Sequence, residues 1–189
     1  MCGRLNIYGD SLSKTVSSAL HIHFQTPTNT DLCPSQAVST IAFKHGMQQL
    51  NTTWGIKPTW SKKLLINAQS ESVATKPTFK HAFANNRCVV PCSGWYEWSS
   101  MAGTAKHKYL FGNENGAPLY MAGIYYPRLE APPELVTLTA EATEICAQYH
   151  RRMPFLISEN AVEDWLSSPV PNLGALLVAG REPVRVVKA

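Results

Sequence analysis

Residues 87–98 read RCVVPCSGWYEW and carry the clearest indication of the fold. Arg87 to Val90 is typical of a strand, since β-branched side chains are enriched in sheets. Pro91 to Gly94 is predicted to turn the chain, because proline and glycine supply the backbone angles that turns need. Residues 95–98 then form a second β-like run, rich in aromatic side chains. The segment therefore predicts two short strands joined by a turn.

The flanking sequence adds further strands. Asn115-Gly116 lies between residues 108–111 and 119–126, and this dipeptide is a strong signal for a β-hairpin. Residues 48–54 are predicted to pair with residues 37–43. One more strand is predicted over residues 135–139.

Three short helices accompany these strands. Asp10 is placed to cap a helix over residues 11–20. Ser158 begins another, with acidic residues in its first turn and the Trp165-Leu166 pair on its apolar face. Residues 141–149 are the third. Strands dominate, so the predicted class is α+β, with a mainly antiparallel sheet or partly closed barrel and a few flanking helices.

Length and composition favour one domain over residues 1–189, because domains commonly have about 100–200 residues. Hydrophobic residues make up 44% of the chain, which is enough for a core. No apolar run approaches the roughly 20 residues that span a bilayer, and the N-terminus has no hydrophobic signal region. We therefore expect a cytoplasmic protein, nucleoid-associated if bacterial, that is monomeric and has no membrane partner.

Charge is distributed unevenly along the chain. Residues 32–113 contain nine Lys and Arg but only Glu71 and Glu97, a net charge of +7, although the whole chain has only +4. Residues 114–165 have a net charge of −5. This pattern allows a polyanionic partner such as nucleic acid.

Cys2 is notable for its position. A small residue after the initiator permits removal of Met1, which would leave a 1,2-aminothiol with reference pKa values of about 8 for the amine and about 8.5 for the thiol. Such a group condenses with an aldehyde to an imine, and its thiol then closes a thiazolidine ring. The plainer alternative is a small hydrophobic residue that tolerates loss of Met1.

Five segments, in their order along the chain, resemble the SRAP family, the abasic-site processing or SOS response-associated peptidase proteins. The resemblance runs from Cys2 to about Trp165. It implies the SRAP fold, binding of single-stranded DNA and covalent capture of abasic sites, and the family name implies peptidase activity, here release of Met1. No cofactor and no metal are implied. The segments are MCGR at residues 1–4, WGIKPTW at 54–60, INAQSES at 66–72, the segment at 87–98, and HRRMP at 150–154.

The resemblance also assigns residues. Cys2 matches the crosslinking nucleophile and Glu97 matches the acid of the family's G-W-Y-E-W segment. Asn67 and His150 match the other two catalytic positions. The positions that resemble DNA-contacting ones are Arg4, Trp54 and Trp60.

One of these matches departs from the family pattern. The family segment usually reads Asn-Ala-Arg, with the arginine on a DNA phosphate, whereas Gln69 stands here. Gln69 therefore leaves one phosphate contact in doubt. Basic residues that could replace it are Lys62, Lys63, Lys76 and Arg87. The family's C-terminal segment begins at Arg181 and is expected to form a shortened edge.

Each catalytic assignment has a structural alternative. Glu97 could be a surface carboxylate at a strand end, His150 a helix-end residue and Asn67 a turn residue. At least two of the tryptophans in the matching segments are expected to be core residues. Cys88 and Cys92, with Cys33 and His81, could in principle bind zinc, but the spacing is too loose to predict it.

Two other functions remain open at this point. The first is an N-terminal-cysteine amidohydrolase, because glutamine amidotransferases of that class also begin Met-Cys-Gly. Their downstream Arg-Gly-Pro-Asp and Asn-Gly-Glu segments do not occur here. The second is a non-catalytic module that binds single-stranded DNA through the basic middle and its tryptophans.

Overall fold

A computed structural model describes residues 2–100, 105–174 and 182–189. Within these residues the chain forms four α-helices and thirteen strands in two sheets. The helices are α1 (Gly9–Leu20), α2 (Lys80–Asn85), α3 (Glu144–Ala147) and α4 (Val162–Ser167). The strands are β1 (Leu5–Ile7), β2 (Asn29–Leu32), β3 (Ala37–Phe43), β4 (Met47–Trp54), β5 (Asn67–Gln69), β6 (Arg87–Cys92), β7 (Gly94–Ser99), β8 (His107–Asn113), β9 (Leu119–Tyr126), β10 (Glu134–Glu141), β11 (Arg152–Pro154), β12 (Leu156–Ile157) and β13 (Val184–Lys188).

The larger sheet is partly closed. Its strands follow the order β11-β10-β4-β3-β6-β9-β12, and β9 also pairs with β10, which joins five strands into a ring. Only the pairings of β10 with β4 and with β5 are parallel. The prediction of an α+β fold with a mainly antiparallel, partly closed sheet is confirmed.

The smaller sheet is open and has the order β13-β8-β7-β1-β2. Its central strands bring Leu5 opposite Trp95 and Glu97 opposite Tyr109. This sheet therefore carries both the N-terminal Cys2 segment and Glu97.

The chain passes from one sheet to the other at Ser93. Strand β6 continues through Cys92 and strand β7 begins at Gly94, so the predicted turn over residues 91–94 is wrong, although both predicted strands exist. The Ser93 amide donates to the Asn6 carbonyl at 2.9 Å. A Cβ atom on Gly94 would lie 2.3 Å from the Phe111 carbonyl oxygen, so only glycine permits this close crossing.

Asn115-Gly116 forms a turn but not a hairpin. Gly116 has φ +73° and its amide donates to the Asn113 carbonyl at 3.1 Å. The flanking strands, however, belong to different sheets, because β8 pairs with β7 and β13 whereas β9 pairs with β6, β10 and β12. The hairpin prediction is therefore wrong: the turn sends the chain into the other sheet.

Helix α1 exists as predicted, but Asp10 lies inside its first turn and does not cap it. The helix begins at Gly9, whose amide donates to the Thr28 hydroxyl at 2.9 Å. The third predicted helix shortens to α3, because Glu141 remains in β10 and pairs with Arg152 of β11. Helix α4 buries Trp165 and Leu166 as expected.

A single cluster of buried side chains runs through the described part of the chain and includes Trp54, Trp95 and Trp165. Arg181 lies outside the described residues, and β13 forms the edge of the smaller sheet. None of the helices in the described ranges has the length and apolarity needed to cross a bilayer.

Candidate active site

Cys2 lies at the start of the smaller sheet and is only 2% exposed. The Asn67 side-chain amide donates to the Cys2 carbonyl at 2.8 Å, and the Thr137 hydroxyl donates to the Asn67 oxygen at 2.6 Å. Asn67 and Thr137 are register partners in β5 and β10. The larger sheet thus orients the amide, and the amide holds the backbone of Cys2.

Glu97 is buried on the inner face of β7, with 5% exposure. Burial raises the pKa of its carboxyl, and the nearby His150 acts in the opposite direction. A carboxyl with a raised pKa keeps its proton to a higher pH than a surface glutamate, which is the property that a proton donor near neutral pH needs.

The Cys2 thiol is within electrostatic reach of Glu97. Burial raises the pKa of the thiol well above its ordinary value, the Glu97 charge adds to this, and Cys92 contributes in the same direction. The thiol of Cys2 is therefore held in its neutral form. The arrangement differs from that of a cysteine protease, in which the pKa of the nucleophile is lowered.

His150 reaches this cluster through a short turn after α3. Its Nδ1 lies 3.0 Å from the Arg152 amide nitrogen and 2.9 Å from the Arg152 carbonyl oxygen. The preceding Tyr149 packs against Tyr109 and Phe111 on the inner face of β8, with ring centroids 4.6 and 5.3 Å apart. Tyr109 is the register partner of Glu97 on the neighbouring strand, so this packing places His150, the residue after Tyr149, close to the Glu97 carboxyl.

An ion pair between Arg152 and Glu71 joins two of the segments identified in the sequence. Arg152 donates to both Glu71 oxygens, at 2.7 and 2.8 Å, and lowers the pKa of that carboxyl. The pair connects the turn that holds His150 to the segment that contains Asn67. Neither partner was identified from the sequence. The available signal was that two segments assigned to the same predicted site carry side chains of opposite charge. Nothing in the sequence indicated Thr137.

Two predicted DNA contacts are wrong. Trp54 is fully buried and its indole N–H donates to the Ile66 carbonyl at 3.2 Å, so its ring cannot stack on a base. The buried Arg87 guanidinium donates to backbone carbonyls near the C-terminal ends of α2 and α4, so it cannot replace a phosphate-binding arginine. The carbonyl acceptors of Arg87 belong to Phe83, Ala84, Trp165 and Ser168.

The other predicted contacts lie where a ligand could reach them. Trp60 is 68% exposed. The exposed polar group comprises Lys62, Lys63, Gln69 and Lys76. Arg4 is half-buried and pairs with Asp31 at 2.6 Å. Contact of these residues with DNA stays a prediction.

The cysteines other than Cys2 form no disulfide. All five cysteines are free thiols, and burial raises the pKa of Cys92 to about 12. Among the described residues, no group of three His, Cys, Asp or Glu side chains is arranged to hold a metal ion.

Known proteins are similar over most of the chain. The family model of SOS response associated peptidase (SRAP) matches residues 1–182. Abasic site processing protein YoaM of Bacillus subtilis is 24% identical over 184 residues, which cover 88% of this chain and 79% of the relative. Abasic site processing protein YedK of Escherichia coli is 30% identical over 130 residues, 67% of this chain and 58% of that protein.

Solved structures share the fold. A crystal structure of a protein from Bordetella bronchiseptica superposes with a TM-score of 0.85 at 21% identity and covers 100% of this chain and 99% of its own. A phage-related protein from the same organism gives a TM-score of 0.82 at 22% identity, with 100% and 94% covered. Together with the family match over residues 1–182, the fold and the buried Cys2 site lead to one conclusion. The chain belongs to the SOS response associated peptidase (SRAP) family.

Proposed function

We propose that this protein processes abasic sites in single-stranded DNA by capturing them covalently at Cys2. The relatives named above are abasic site processing proteins. The observation that carries the proposal is the hydrogen bond from Asn67 to the Cys2 carbonyl at 2.8 Å, because it fixes the residue whose amine and thiol would react.

The reaction balances without a redox partner. A ring-opened abasic deoxyribose presents an aldehyde, the Cys2 amine adds to its carbonyl carbon, and loss of water gives an imine. The thiol sulfur then adds to the imine carbon while its proton passes to the nitrogen, which closes a thiazolidine. Ring closure consumes the imine that would otherwise drive β-elimination and strand cleavage.

The electrostatics favour this order of events. Because the pKa of the thiol is raised, the amine is the better first nucleophile, and the thiol reacts only once the imine has formed beside it. Glu97 donates the proton that carbinolamine dehydration requires and takes part in the reverse proton transfers when the crosslink opens. Groups placed in this way typically contribute about 10²–10⁴-fold to rate. His150 assists at the sugar hydroxyl.

Release of Met1 precedes capture. Met1 lies outside the described residues, but in the sequence its carbonyl acylates the Cys2 nitrogen, and an amide nitrogen is not a nucleophile. The chain itself or a separate aminopeptidase would free the amine.

Single-stranded DNA would follow the exposed basic and aromatic groups of the predicted DNA-contacting set. Trp60 offers a stacking surface, and base stacking is worth about 1–3 kcal/mol per base. Arg4 and the lysines supply phosphate contacts, so affinity is expected to fall with salt. The phosphate-contacting lysines would be Lys62, Lys63 and Lys76.

A crosslinking gel tests the proposal. Mature protein, with Met1 removal verified by mass, is mixed at neutral pH with single-stranded DNA that carries one abasic site, and the sample is then denatured. A covalent band is expected that disappears in Cys2→Ala and after acetylation of the α-amine. No band from the verified mature protein would sink the proposal. If Cys2→Ala retains DNA affinity and the wild type forms no band, the protein is a non-catalytic binder.

A further inference from the structure

The outer face of β7 carries a cluster of charged and aromatic side chains outside the catalytic group. Tyr96 and Trp98 alternate with Glu97 along the strand, so they occupy the face opposite the buried carboxyl. Around them lie Arg4 before β1, Asp31 on β2 and Lys108 on β8. These five residues are called the outer-face cluster.

One carboxylate holds both cations of the cluster. Asp31 accepts from Arg4 on one oxygen at 2.6 Å and from Lys108 on the other at 2.9 Å. The Lys108 ammonium lies 3.9 Å from the centre of the Tyr96 ring, and the Arg4 guanidinium lies 5.7 Å from that of Trp98. Asp31 thus presents a single negative charge, shared over two oxygens, to two cations that rest on aromatic rings.

A DNA phosphodiester has the same features. It carries one negative charge over two non-bridging oxygens, so it can accept from the same two donors. Asp31 has 52% side-chain exposure, and exposed ion pairs of this kind contribute little to stability. Replacement of the Asp31 carboxylate by a phosphate at these two donors therefore costs little free energy. Trp98 is 40% exposed beside the cations and offers a face for the adjoining base.

We propose that Asp31 is a placeholder for one phosphodiester of single-stranded DNA, which Arg4 and Lys108 bind together when the carboxylate swings away. The inference rests on the proposed function and adds Lys108, Asp31 and Trp98 to it. Arg4 follows Cys2 by two residues, a span of at most about 7 Å along the chain. The backbone that carries Arg4 is therefore continuous with the segment that carries the proposed nucleophile.

Salt-dependent binding tests the placeholder. The affinity of the full-length chain for a single-stranded oligonucleotide without an abasic site is measured from 50 to 200 mM salt, so that no crosslink forms. Lys108→Gln is expected to lower affinity and to reduce the salt slope by about 0.7, the value for one single-strand phosphate contact. Asp31→Asn is expected to raise affinity roughly threefold at low salt because the competing anion is gone. That gain shrinks when Lys108→Gln is also present.

Matched charge changes elsewhere serve as controls. Asp10→Asn removes an exposed acid on α1, and Lys44→Gln removes an exposed base at the end of the β3–β4 hairpin. If Asp31→Asn raises the affinity for DNA no more than Asp10→Asn does, or lowers it, the placeholder proposal is wrong. It is also wrong if Lys108→Gln lowers the affinity and the salt slope only as much as Lys44→Gln does. Abasic-site crosslinking by the wild type is scored in parallel. A wild type that crosslinks while the cluster variants equal their controls overturns only this inference, whereas a wild type that neither binds nor crosslinks overturns both.

Discussion

The two faces of the smaller sheet place acidic groups in opposite environments. On the inner face Glu97 is 5% exposed, and burial raises the pKa of its carboxyl. On the outer face Asp31 of β2 has 52% side-chain exposure, and hydrogen bonds from Lys108 and then Arg4 lower the pKa of its carboxyl. The smaller sheet thus separates a carboxyl whose pKa is raised from one whose pKa is lowered.

The buried and the exposed carboxyl are therefore suited to different roles. A desolvated carboxyl interacts strongly with neighbouring groups and is suited to moving protons, because its pKa lies closer to neutrality. An exposed ion pair is screened by salt and exchanges partners readily, which suits reversible binding. Substitutions on the inner face should therefore change rates, whereas substitutions on the outer face should change affinity.

Glu97→Gln should give the largest effect. It removes the proposed proton carrier but keeps the shape of the side chain, so formation or reversal of the proposed crosslink is expected to slow by about 10²–10⁴-fold. The dissociation constant for single-stranded DNA should change by much less. Quench-gel kinetics on an abasic oligonucleotide and equilibrium binding to intact DNA measure the two quantities.

The control for this change is Glu141→Gln, an exposed acid at the end of β10. It should alter neither the rate nor the affinity appreciably. Equal losses of rate and affinity in Glu97→Gln would assign Glu97 to binding and erase the distinction between the two faces.

Trp54 and Trp60 test the same contrast within one segment. Trp54→Ala opens a cavity in the core and should cost about 3–5 kcal/mol of unfolding free energy. Trp60→Ala should leave stability within about 0.5 kcal/mol but weaken single-stranded DNA binding by about 1–3 kcal/mol. Denaturant unfolding and DNA titration measure both quantities on both variants.

Each tryptophan variant is the control for the other. The milder Trp54→Phe keeps most of the core volume and allows DNA affinity to be measured on a folded protein. A loss of affinity in Trp54→Phe equal to that in Trp60→Ala, with stability retained, would contradict the assignment of Trp54 to the core.

Local sequence was sufficient for individual elements but not for their sheet assignment. The apolar run at residues 37–43 became β3 over the predicted range, because its own side chains favour a strand. Asn115-Gly116 forms the turn that its residues favour, yet β8 also pairs with the distant β13 and β9 with the distant β6, in different sheets. Those long-range pairings depend on the whole topology, and no window of a few residues contains them.

The site was predictable to a similar degree. Cys2, Asn67 and Glu97 were identified from motif residues, and the Asn67 hydrogen bond joins two of these segments. The motif did not distinguish Trp54 from Trp60, because burial is decided by the path of the chain after Gly55. Gly55 has φ +114° and packs against the Leu64 side chain. The chain reaches the surface from Lys57 onwards, after the buried Ile56.

The ion pair between Glu71 and Arg152 supplies the smallest expected effect and the clearest pH signature. The Arg152 hydrogen bond lowers the pKa of the Glu71 carboxyl below its ordinary value of 4.5. The folded state therefore binds fewer protons at Glu71 than the unfolded state, and the stabilisation is present above that ordinary value. It is lost as the pH falls through the lowered pKa of the folded state.

Glu71→Gln should consequently cost at most about 1 kcal/mol at pH 7, because the Glu71 side chain is 53% exposed. The difference in unfolding free energy between the variant and the wild type should narrow as the pH falls to roughly 3, because the Glu71 carboxyl of the unfolded wild type is then largely protonated and neutral, like the glutamine amide. Denaturant unfolding at the two pH values measures this, with Glu163→Gln, an exposed acid on α4, as control. A difference that widens with acid would mean that Arg152 holds the His150 turn without help from the Glu71 charge.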